Sequence, residues 1–362
     1  MRVVMNGLLR FSHPVLPRAD RGQRRRFGRE VNVRAVTFDG NTLRLVQDYA
    51  EPALQPGHAL IRPTLLAIDA TDLAVIRGDI PHTGVVGHLF VGVVERVEPD
   101  AAGGKQLESR RVVGSINVVP PDSQLARRGL GNHALERRIL GLRQMDGCFA
   151  DRFVMPLHNL VPVPEAISDE QAVLTEPLAA AVHTSRITRI EGKPYVTIIG
   201  DDPVALLSAQ IMTRLNASVR LLGTNAERLA LCDKWQIRHR LLSDVGLRQD
   251  QDIVIECTGE AENVASAMRM VRPRGRIVLR RAVLPTPDES TDRPGPDLMP
   301  VVLNELELIG ARCGNMSEAL SVMSRQPIDL VSLITRRFRL DDALDAYRAA
   351  AEPGALLVTM QP

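Results

Sequence analysis

Residues 196–205 read Val196-Thr197-Ile198-Ile199-Gly200-Asp201-Asp202-Pro203-Val204-Ala205, and they set the architecture of the central part of the chain. A β-branched run leads into Gly200, and an apolar helical pattern follows over residues 203–215. A strand, a glycine turn and a helix in this order place bare backbone amides at a helix N-terminus, where they can hold a pyrophosphate. The stretch therefore predicts a dinucleotide-binding turn. Its predicted contacts are Gly200, Asp202, Val204 and Ala205.

The turn departs from the usual glycine pattern at its second position. The three glycine positions of G-x-G-x-x-G are occupied here by Gly200, Asp202 and Ala205. Alanine suits the third position, but the Asp202 carboxylate projects toward the place where a phosphate would approach. Two like charges about 4 Å apart cost up to ~4 kcal/mol near a protein surface. The sequence thus leaves open whether a cofactor binds almost normally or roughly a thousandfold more weakly.

Strand and helix patterns alternate on both sides of this turn. The predicted strands are 196–200, 219–223, 252–257 and 276–279, and the predicted helices are 203–215, 225–235 and 261–271. This alternation predicts a doubly wound parallel sheet. The preceding part, from residue 33, is hairpin-rich and predicts an antiparallel β-domain in which a helix opens near Thr71. Prolines in 284–300 predict a loop.

Composition excludes several classes of protein. The 362 residues suggest two domains, and a net charge of +2 gives no reason to expect nucleic acid or an anionic membrane as partner. No apolar run approaches the roughly 18 residues of a membrane span. Four cysteines without paired spacing favour a cytoplasmic location. The arginine-rich residues 1–30 are predicted to be a disordered basic extension.

Several ordered motifs resemble those of the medium-chain dehydrogenase/reductase family. They are Asp69-Ala-Thr-Asp72, Gly87-His88-Leu89, Asp146-Gly-Cys-Phe-Ala-Asp151 and Thr175-Glu176-Pro177-Leu178-Ala179. The resemblance covers about residues 31–362 and implies an α/β protein in which a GroES-like β-rich catalytic domain accompanies a central Rossmann domain. The implied boundaries are 31–165 with 313–362 for the catalytic domain, and 166–312 for the Rossmann domain.

The resemblance also implies a catalytic zinc site on Asp69, His88 and Glu176. Aspartate replaces a cysteine ligand of the family, yet Asp, His and Glu are all competent zinc ligands. Asp72 would orient the histidine, and Thr71 would pass a proton from the substrate alcohol toward solvent. The alternative is that Asp69 and Glu176 cap helices, that His88 is a buried strand-end histidine, and that the cleft has lost its ion.

A second, structural zinc of the family is absent. The positions of its four cysteine ligands are occupied by Pro120, Ser123, Ala126 and Ala134. None of these side chains binds a soft divalent metal, so the loop must be held by packing and hydrogen bonds.

The end of the second Rossmann strand indicates the cofactor. NAD-binding proteins usually carry an acidic residue there, which holds the ribose diol. This chain has Gly223-Thr224-Asn225 instead, and Arg228 follows one turn into the next helix. Hydrogen-bond donors at this strand end, together with the absence of an acidic residue there, predict NADP rather than NAD. Thr258 and Arg312 are further predicted contacts, on the nicotinamide side and at the pyrophosphate, respectively.

Together these features predict an NAD(P)-dependent oxidoreductase that moves hydride between nicotinamide and a small alcohol, polyol, aldehyde or ketone. Two alternatives remain: a non-catalytic pseudoenzyme or binding protein on the same scaffold, and a zinc-independent reductase of the quinone type. The pseudoenzyme is motivated by Asp202, Leu89 and the lost cysteines. The resemblance implies a homodimer or homotetramer.

Overall fold

The computed structural model describes residues 32–98, 104–246, 248–281 and 297–362. The predicted extension 1–30 and residues 284–296 of the predicted loop lie outside the described residues. The remaining part of that loop leads into a short helix, in which Pro300 lies in the first turn. Proline is tolerated there because the first helical amides have no intrahelical partner.

The helices of the described residues, in chain order, are α1 Ala70–Arg77, α2 Gln124–Arg127, α3 Asp169–Ala172, α4 Thr175–Thr188, α5 Pro203–Arg214, α6 Ala226–Leu229, α7 Leu231–Lys234, α8 Ala261–Met270, α9 Met299–Leu303, α10 Met316–Arg325 and α11 Ala343–Ala350. The helix predicted over 225–235 is two short helices, because the backbone at Ala230 tightens to a ψ of −21°. Among the described residues, no helix is both long and apolar enough to cross a membrane.

The strands are β1 Asn32–Phe38, β2 Leu43–Ala50, β3 His58–Ile68, β4 Gly84–Val85, β5 Leu89–Val97, β6 Arg111–Gly114, β7 Asn117–Val118, β8 Arg138–Ile139, β9 Phe153–Pro156, β10 Leu160–Pro162, β11 Tyr195–Ile199, β12 Ser218–Gly223, β13 Arg238–Leu241, β14 Gln251–Glu256, β15 Val271–Leu279, β16 Glu307–Gly310, β17 Ile334–Arg339 and β18 Leu357–Gln361.

Two compact units are formed by these elements. Of the described residues, the first contains those up to Val163 together with Arg336–Ala351 and Val358–Pro362, and the second contains those within Pro164–Thr335 and Glu352–Leu357. This division differs from the predicted boundary at residue 313. Residues 313–335 belong to the second unit because α10 packs against α4, and Gly314 lies directly against the backbone of Ala179.

The first unit is an antiparallel β structure, as the hairpin-rich pattern predicts. Its sheets have the orders β2-β1-β4, β10-β6-β5-β3-β18-β17 with β9 paired to β3, and β7-β8. Strand β1 pairs with β2 across the predicted turn, where Gly40 has a φ of +92°. The hydrophobic core of the first unit includes the fully buried side chains of Ile61, Leu66 and Phe149.

The second unit has a six-stranded sheet in the order β13-β12-β11-β14-β15-β16, and its neighbouring strands are parallel. Numbered by appearance, this order is 3-2-1-4-5-6, the order of dinucleotide-binding sheets. The predicted doubly wound sheet is therefore confirmed. Its direction of winding reverses between β11 and β14, so the turns after β11, β12 and β14 meet at the crevice where such sheets bind ligands.

Candidate active site

Asp69 opens helix α1 and is its N-cap. Its Oδ1 atom accepts hydrogen bonds from the amides of Thr71, at 2.6 Å, and Asp72, at 3.3 Å. In return, Oδ2 of Asp72 accepts the Asp69 amide at 3.0 Å, which completes a capping box. The capping role that the sequence analysis left open is therefore real, and it places the Asp69 carboxylate at the positive end of the helix.

His88 lies beside this helix terminus and is buried, with 3% of its surface exposed. Its Nδ1 atom is 3.0 Å from Oδ1 of Asp72, which is also buried. Burial raises the pKa of Asp72, and the neighbouring His88 opposes this rise. Because a carboxylate can only accept, Nδ1 donates the proton, and in the neutral imidazole Nε2 then carries the lone pair. The Nε2 atom lies 3.8 Å from Oδ1 of Asp69.

Asp69, Asp72 and His88 thus form a cluster whose candidate ligand atoms all lie within 4.8 Å of one another. Oδ1 of Asp72 accepts from the imidazole itself, and it does so at Nδ1 rather than at the nitrogen that lies nearest Asp69. Asp72 therefore positions the imidazole. Two ligand atoms of a tetrahedral zinc, each about 2.1 Å from the metal, stand roughly 3.4 Å apart, so Asp69 and His88 nearly have the spacing that a shared zinc requires. Oxygen and imidazole nitrogen are suitable donors, and the pair fits the metal.

The third predicted ligand, Glu176, belongs to the second unit and lies in the first turn of α4. Its participation in the site remains a prediction. Thr71 is placed by Asp69 through two contacts, since its amide and its hydroxyl, at 3.3 Å, both donate to that carboxylate. The hydroxyl of Thr71, the predicted proton relay, therefore lies next to Asp69, the predicted metal ligand.

Leu89, which follows His88, is buried.

The loop without zinc-binding cysteines is held by polar contacts. Ser123 caps α2, and its hydroxyl donates to Glu136 at 2.5 Å, which lowers the pKa of that carboxyl. The guanidinium of Arg137 donates to the carbonyl of Ala134 at 2.8 Å. Hydrogen bonds therefore act at two positions where the family resemblance places zinc ligands.

In the second unit, Asp202 is the N-cap of helix α5. Its Oδ1 atom accepts the amide of Ala205 at 2.8 Å, and Pro203 occupies the first turn. Gly200 has a φ of +126°, a conformation that favours glycine. The Asp202 carboxylate thus engages one of the amides that would face a pyrophosphate. A nearby cation is Arg281, whose Nη2 atom lies 4.0 Å from Asp202, and Arg312, the predicted contact of the pyrophosphate, is exposed.

The predicted NADP contacts are bonded to a residue that the sequence analysis did not single out. Oδ2 of Asp201 accepts the amides of Thr224 and Asn225, at 2.7 and 2.8 Å. Oδ1 accepts Nη1 of Arg228 at 3.1 Å, and Nη2 of the same guanidinium donates to the carbonyl of Ala355 at 2.6 Å. The backbone amides of Thr224 and Asn225 and the Arg228 guanidinium, which lie where the expected preference for NADP was placed, are therefore engaged within the protein.

Thr258 is held in the same way by the buried Glu256, at the end of β14. The amide and the hydroxyl of Thr258 both donate to Oε1 of Glu256, and the Gly259 amide donates to Oε2 at 3.0 Å. Burial raises the pKa of Glu256, and these donors oppose the rise. An acid at a strand end that is followed by Cys-Thr-Gly was a signal available in the sequence, and the bonds identify Glu256 as the residue that organises this turn.

Known proteins resemble the chain in both units. The model of the alcohol dehydrogenase GroES-like domain matches residues 55–165. The L-threonine 3-dehydrogenase of Chelativorans sp. (strain BNC1) is 28% identical over 330 residues, which cover 85% of this chain and 92% of that protein. That of Rhizobium etli (strain CIAT 652) is 29% identical over 84% of this chain and 91% of its own length.

Solved structures share the fold. A short chain alcohol dehydrogenase from E. coli CFT073, complexed with NADH, has a TM-score of 0.82 at 20% identity and covers 92% of this chain and 100% of its own. A putative zinc-binding dehydrogenase from Sinorhizobium meliloti 1021, bound to NADP, has a TM-score of 0.78 at 24% identity, with the same coverage of both chains. The matched GroES-like domain and the dehydrogenase relatives support a place in the medium-chain dehydrogenase/reductase family, and the solved structures share the fold.

Proposed function

We propose that this protein is an NAD(P)-dependent oxidoreductase of the alcohol dehydrogenase type. It transfers hydride between nicotinamide and a small alcohol, polyol, aldehyde or ketone. The observation that carries the proposal is the cluster of Asp69, Asp72 and His88, in which one carboxylate fixes the imidazole at Nδ1 and another lies 3.8 Å from Nε2. The named relatives are dehydrogenases, and they give no support to the pseudoenzyme alternative.

Each residue of the site has a separate task. Asp69, His88 and Glu176 would hold a zinc ion, which polarises the oxygen of the substrate when it is bound. Asp72 keeps the proton of the imidazole on Nδ1, so that Nε2 remains a ligand. The Thr71 hydroxyl, next to Asp69, accepts the substrate proton and passes it toward solvent.

A nicotinamide dinucleotide is the cofactor that the second unit supports. The glycine turn after β11 and the turn after β14 flank the point at which the sheet reverses its winding, where dinucleotides bind in such sheets. The finer preference, NADP from the sequence alone, must be weighed against the bonds that Thr224, Asn225 and Arg228 make to Asp201. A cytoplasmic location and a homodimer or homotetramer remain part of the proposal.

The metal site is tested by changing Asp69→Asn. Asparagine caps helices as well as aspartate does, so the metal-free variant should have the melting temperature of the wild type. Zinc at a hundred times its dissociation constant should stabilise the wild type by about 2.7 kcal/mol, and the variant by much less. Differential scanning fluorimetry with and without Zn²⁺ measures the metal-free melting temperature and the stabilisation by zinc. The rate of hydride transfer from NADH or NADPH to a panel of aldehydes and ketones should also be lower in the variant than in the wild type.

The matched control is Asp69→Ala, which removes the ligand and the cap together and should lower the metal-free stability by about 1 kcal/mol. Equal stabilisation of wild type and Asp69→Asn by zinc would remove Asp69 from the site. A wild type that binds neither zinc nor either nicotinamide cofactor would favour the pseudoenzyme.

A further inference from the structure

Asp201 lies directly after Gly200, and the structure gives it a network of its own. It follows strand β11, and only 8% of its side chain is exposed. It accepts two backbone amides from the turn after β12 and one guanidinium nitrogen, that of Arg228. Nothing in α5 requires these bonds, because the cap of that helix is Asp202.

The Asp201 side chain occupies the space that belongs to a side chain at position 223. A Cβ atom added to Gly223 would lie 2.6 Å from Oδ2 and 2.7 Å from Cβ of Asp201. Real Cβ atoms do not approach other atoms so closely, so a side chain at 223 and the Asp201 carboxylate exclude each other. Gly223 is the last residue of β12.

The end of this second strand is where NAD-binding sheets carry the acidic residue that binds the ribose hydroxyls. Here Gly223, Thr224 and Asn225 provide none. We propose that Asp201 supplies this carboxylate from the neighbouring turn, and that the protein therefore selects NAD over NADP. The proposal deepens the proposed function and rests on it, because it assumes that a nicotinamide dinucleotide binds to this sheet.

Hydrogen-bond capacity permits the assignment. A carboxylate has about two acceptor positions on each oxygen; Oδ2 of Asp201 accepts the two amides and, at 3.5 Å, the Thr224 hydroxyl, whereas the described bond to Oδ1 is that of Arg228. The remaining position, on Oδ1, suits a ribose hydroxyl donor. A 2′-phosphate has no proton to donate at neutral pH and would meet a like charge there.

Arg228 does not reverse this preference. Its two terminal nitrogens donate to Asp201 and to the carbonyl of Ala355. Engaging a 2′-phosphate would require at least one of these bonds to break. The same guanidinium that predicts NADP in the sequence thus neutralises and orients a carboxylate in the structure.

Isothermal titration calorimetry with NADH and with NADPH tests the proposal without any turnover. Wild type should bind NADH at least about tenfold more tightly than NADPH, the worth of one hydrogen bond to a charged group. In Asp201→Asn the ratio of the affinity for NADH to that for NADPH should fall about tenfold. The asparagine amide places an NH₂ group against Arg228 and so releases that guanidinium for a 2′-phosphate. The decisive variant is the double change Asp201→Gly with Gly223→Asp, which returns a carboxylate to the same space from the strand end and should restore the preference for NADH.

Asp202→Asn is the matched control, since it removes the adjacent charge and should change both affinities by the same factor. Melting temperatures identify variants that fail to fold, and the double variant supplies the answer if Asp201→Asn is one of them. A wild type that binds NADPH as tightly as NADH, or a ratio that Asp201→Asn leaves unchanged, overturns the inference while the proposed function stands. Binding of neither cofactor to wild type overturns both.

Discussion

Single side chains decide whether the imidazole of His88 can serve as a ligand. Asp72→Asn keeps the shape of the side chain and an oxygen for the Asp69 amide, but it turns an NH₂ group toward Nδ1 of His88. The proton must then move to Nε2, which removes its lone pair. We expect a loss of about 10- to 100-fold in zinc affinity, the usual effect of removing an orienting partner. Competition with a chromophoric chelator measures this affinity.

Metal-free stability serves as the control for Asp72→Asn, because the capping box retains an acceptor at residue 72. An unchanged zinc affinity would show that the hydrogen bond between His88 and Asp72 does not set the tautomer.

Tyr347, on α11, tests how much one buried hydroxyl group contributes to the stability of the first unit. Its side chain is 1% exposed and packs edge-on against Phe149, with ring centroids 6.3 Å apart. Burial raises the pKa of its hydroxyl, and the described residues provide that hydroxyl with no hydrogen-bond partner. Tyr347→Phe removes a buried polar atom and keeps the ring, so we expect the free energy of unfolding to rise by about 1 kcal/mol. Urea denaturation measures it, and a fall of similar size would reveal a partner for the hydroxyl.

Helix α5 combines two demands that conflict at its N-terminus. A helix favours an anionic cap there, and Asp202 provides it by accepting the Ala205 amide. A dinucleotide favours the same amides for its pyrophosphate. Asp202→Asn satisfies the helix and removes the charge, so we expect both NADH and NADPH to bind about tenfold more tightly at unchanged stability. Calorimetric titration and thermal melting measure the two effects.

The contrasting variant is Asp202→Ala, which should relieve the same repulsion at a cost of about 1 kcal/mol in stability, because it lacks a capping oxygen. If Asp202→Asn binds both cofactors no better than the wild type does, the carboxylate is not opposed to the phosphates.

Across the whole first unit, one ion-paired group joins segments that are far apart in the chain. The Arg34 guanidinium, on β1, lies 2.7 Å from Asp151 and 2.7 Å from Asp341. Burial alone would raise the pKa of Asp151, but bonds from the Arg34 side chain and amide outweigh it and lower that pKa. A lowered folded-state pKa stabilises the protein above the unfolded value, near 4, and this stabilisation is lost as the pH falls through the folded value.

We therefore expect Asp151→Asn to lower the free energy of unfolding at pH 7 by roughly 1–3 kcal/mol. The difference in free energy of unfolding between the variant and the wild type should become smaller as the pH falls below about 4. Urea denaturation between pH 7 and pH 3 measures this trend. A difference that stays constant over the range would mean that Asp151 titrates normally in the folded state.

Local patterns determined much of this molecule. The hairpin from β1 to β2, the strands that flank Gly200 and the parallel character of the second sheet follow from periodicities of two and 3.6 residues, which neighbouring residues set by themselves. The helix over 225–235 was predicted as one element and is two, because the tightening at Ala230 leaves no mark in the hydrophobic pattern.

The site divides in the same way. The sequence pointed to Asp69, Asp72 and His88, because motif positions near a predicted helix start can be recognised in the amino-acid sequence. The capping box and the orientation of the imidazole depend on three-dimensional contacts. The hydrogen-bond partners of Asp201 were decided only by the tertiary structure. Its partners are 23 to 27 residues away, and only the pairing of β11 with β12 brings the end of one strand beside the other. A residue type records the charge that a position carries, whereas the neighbours that engage this charge depend on which strands are adjacent.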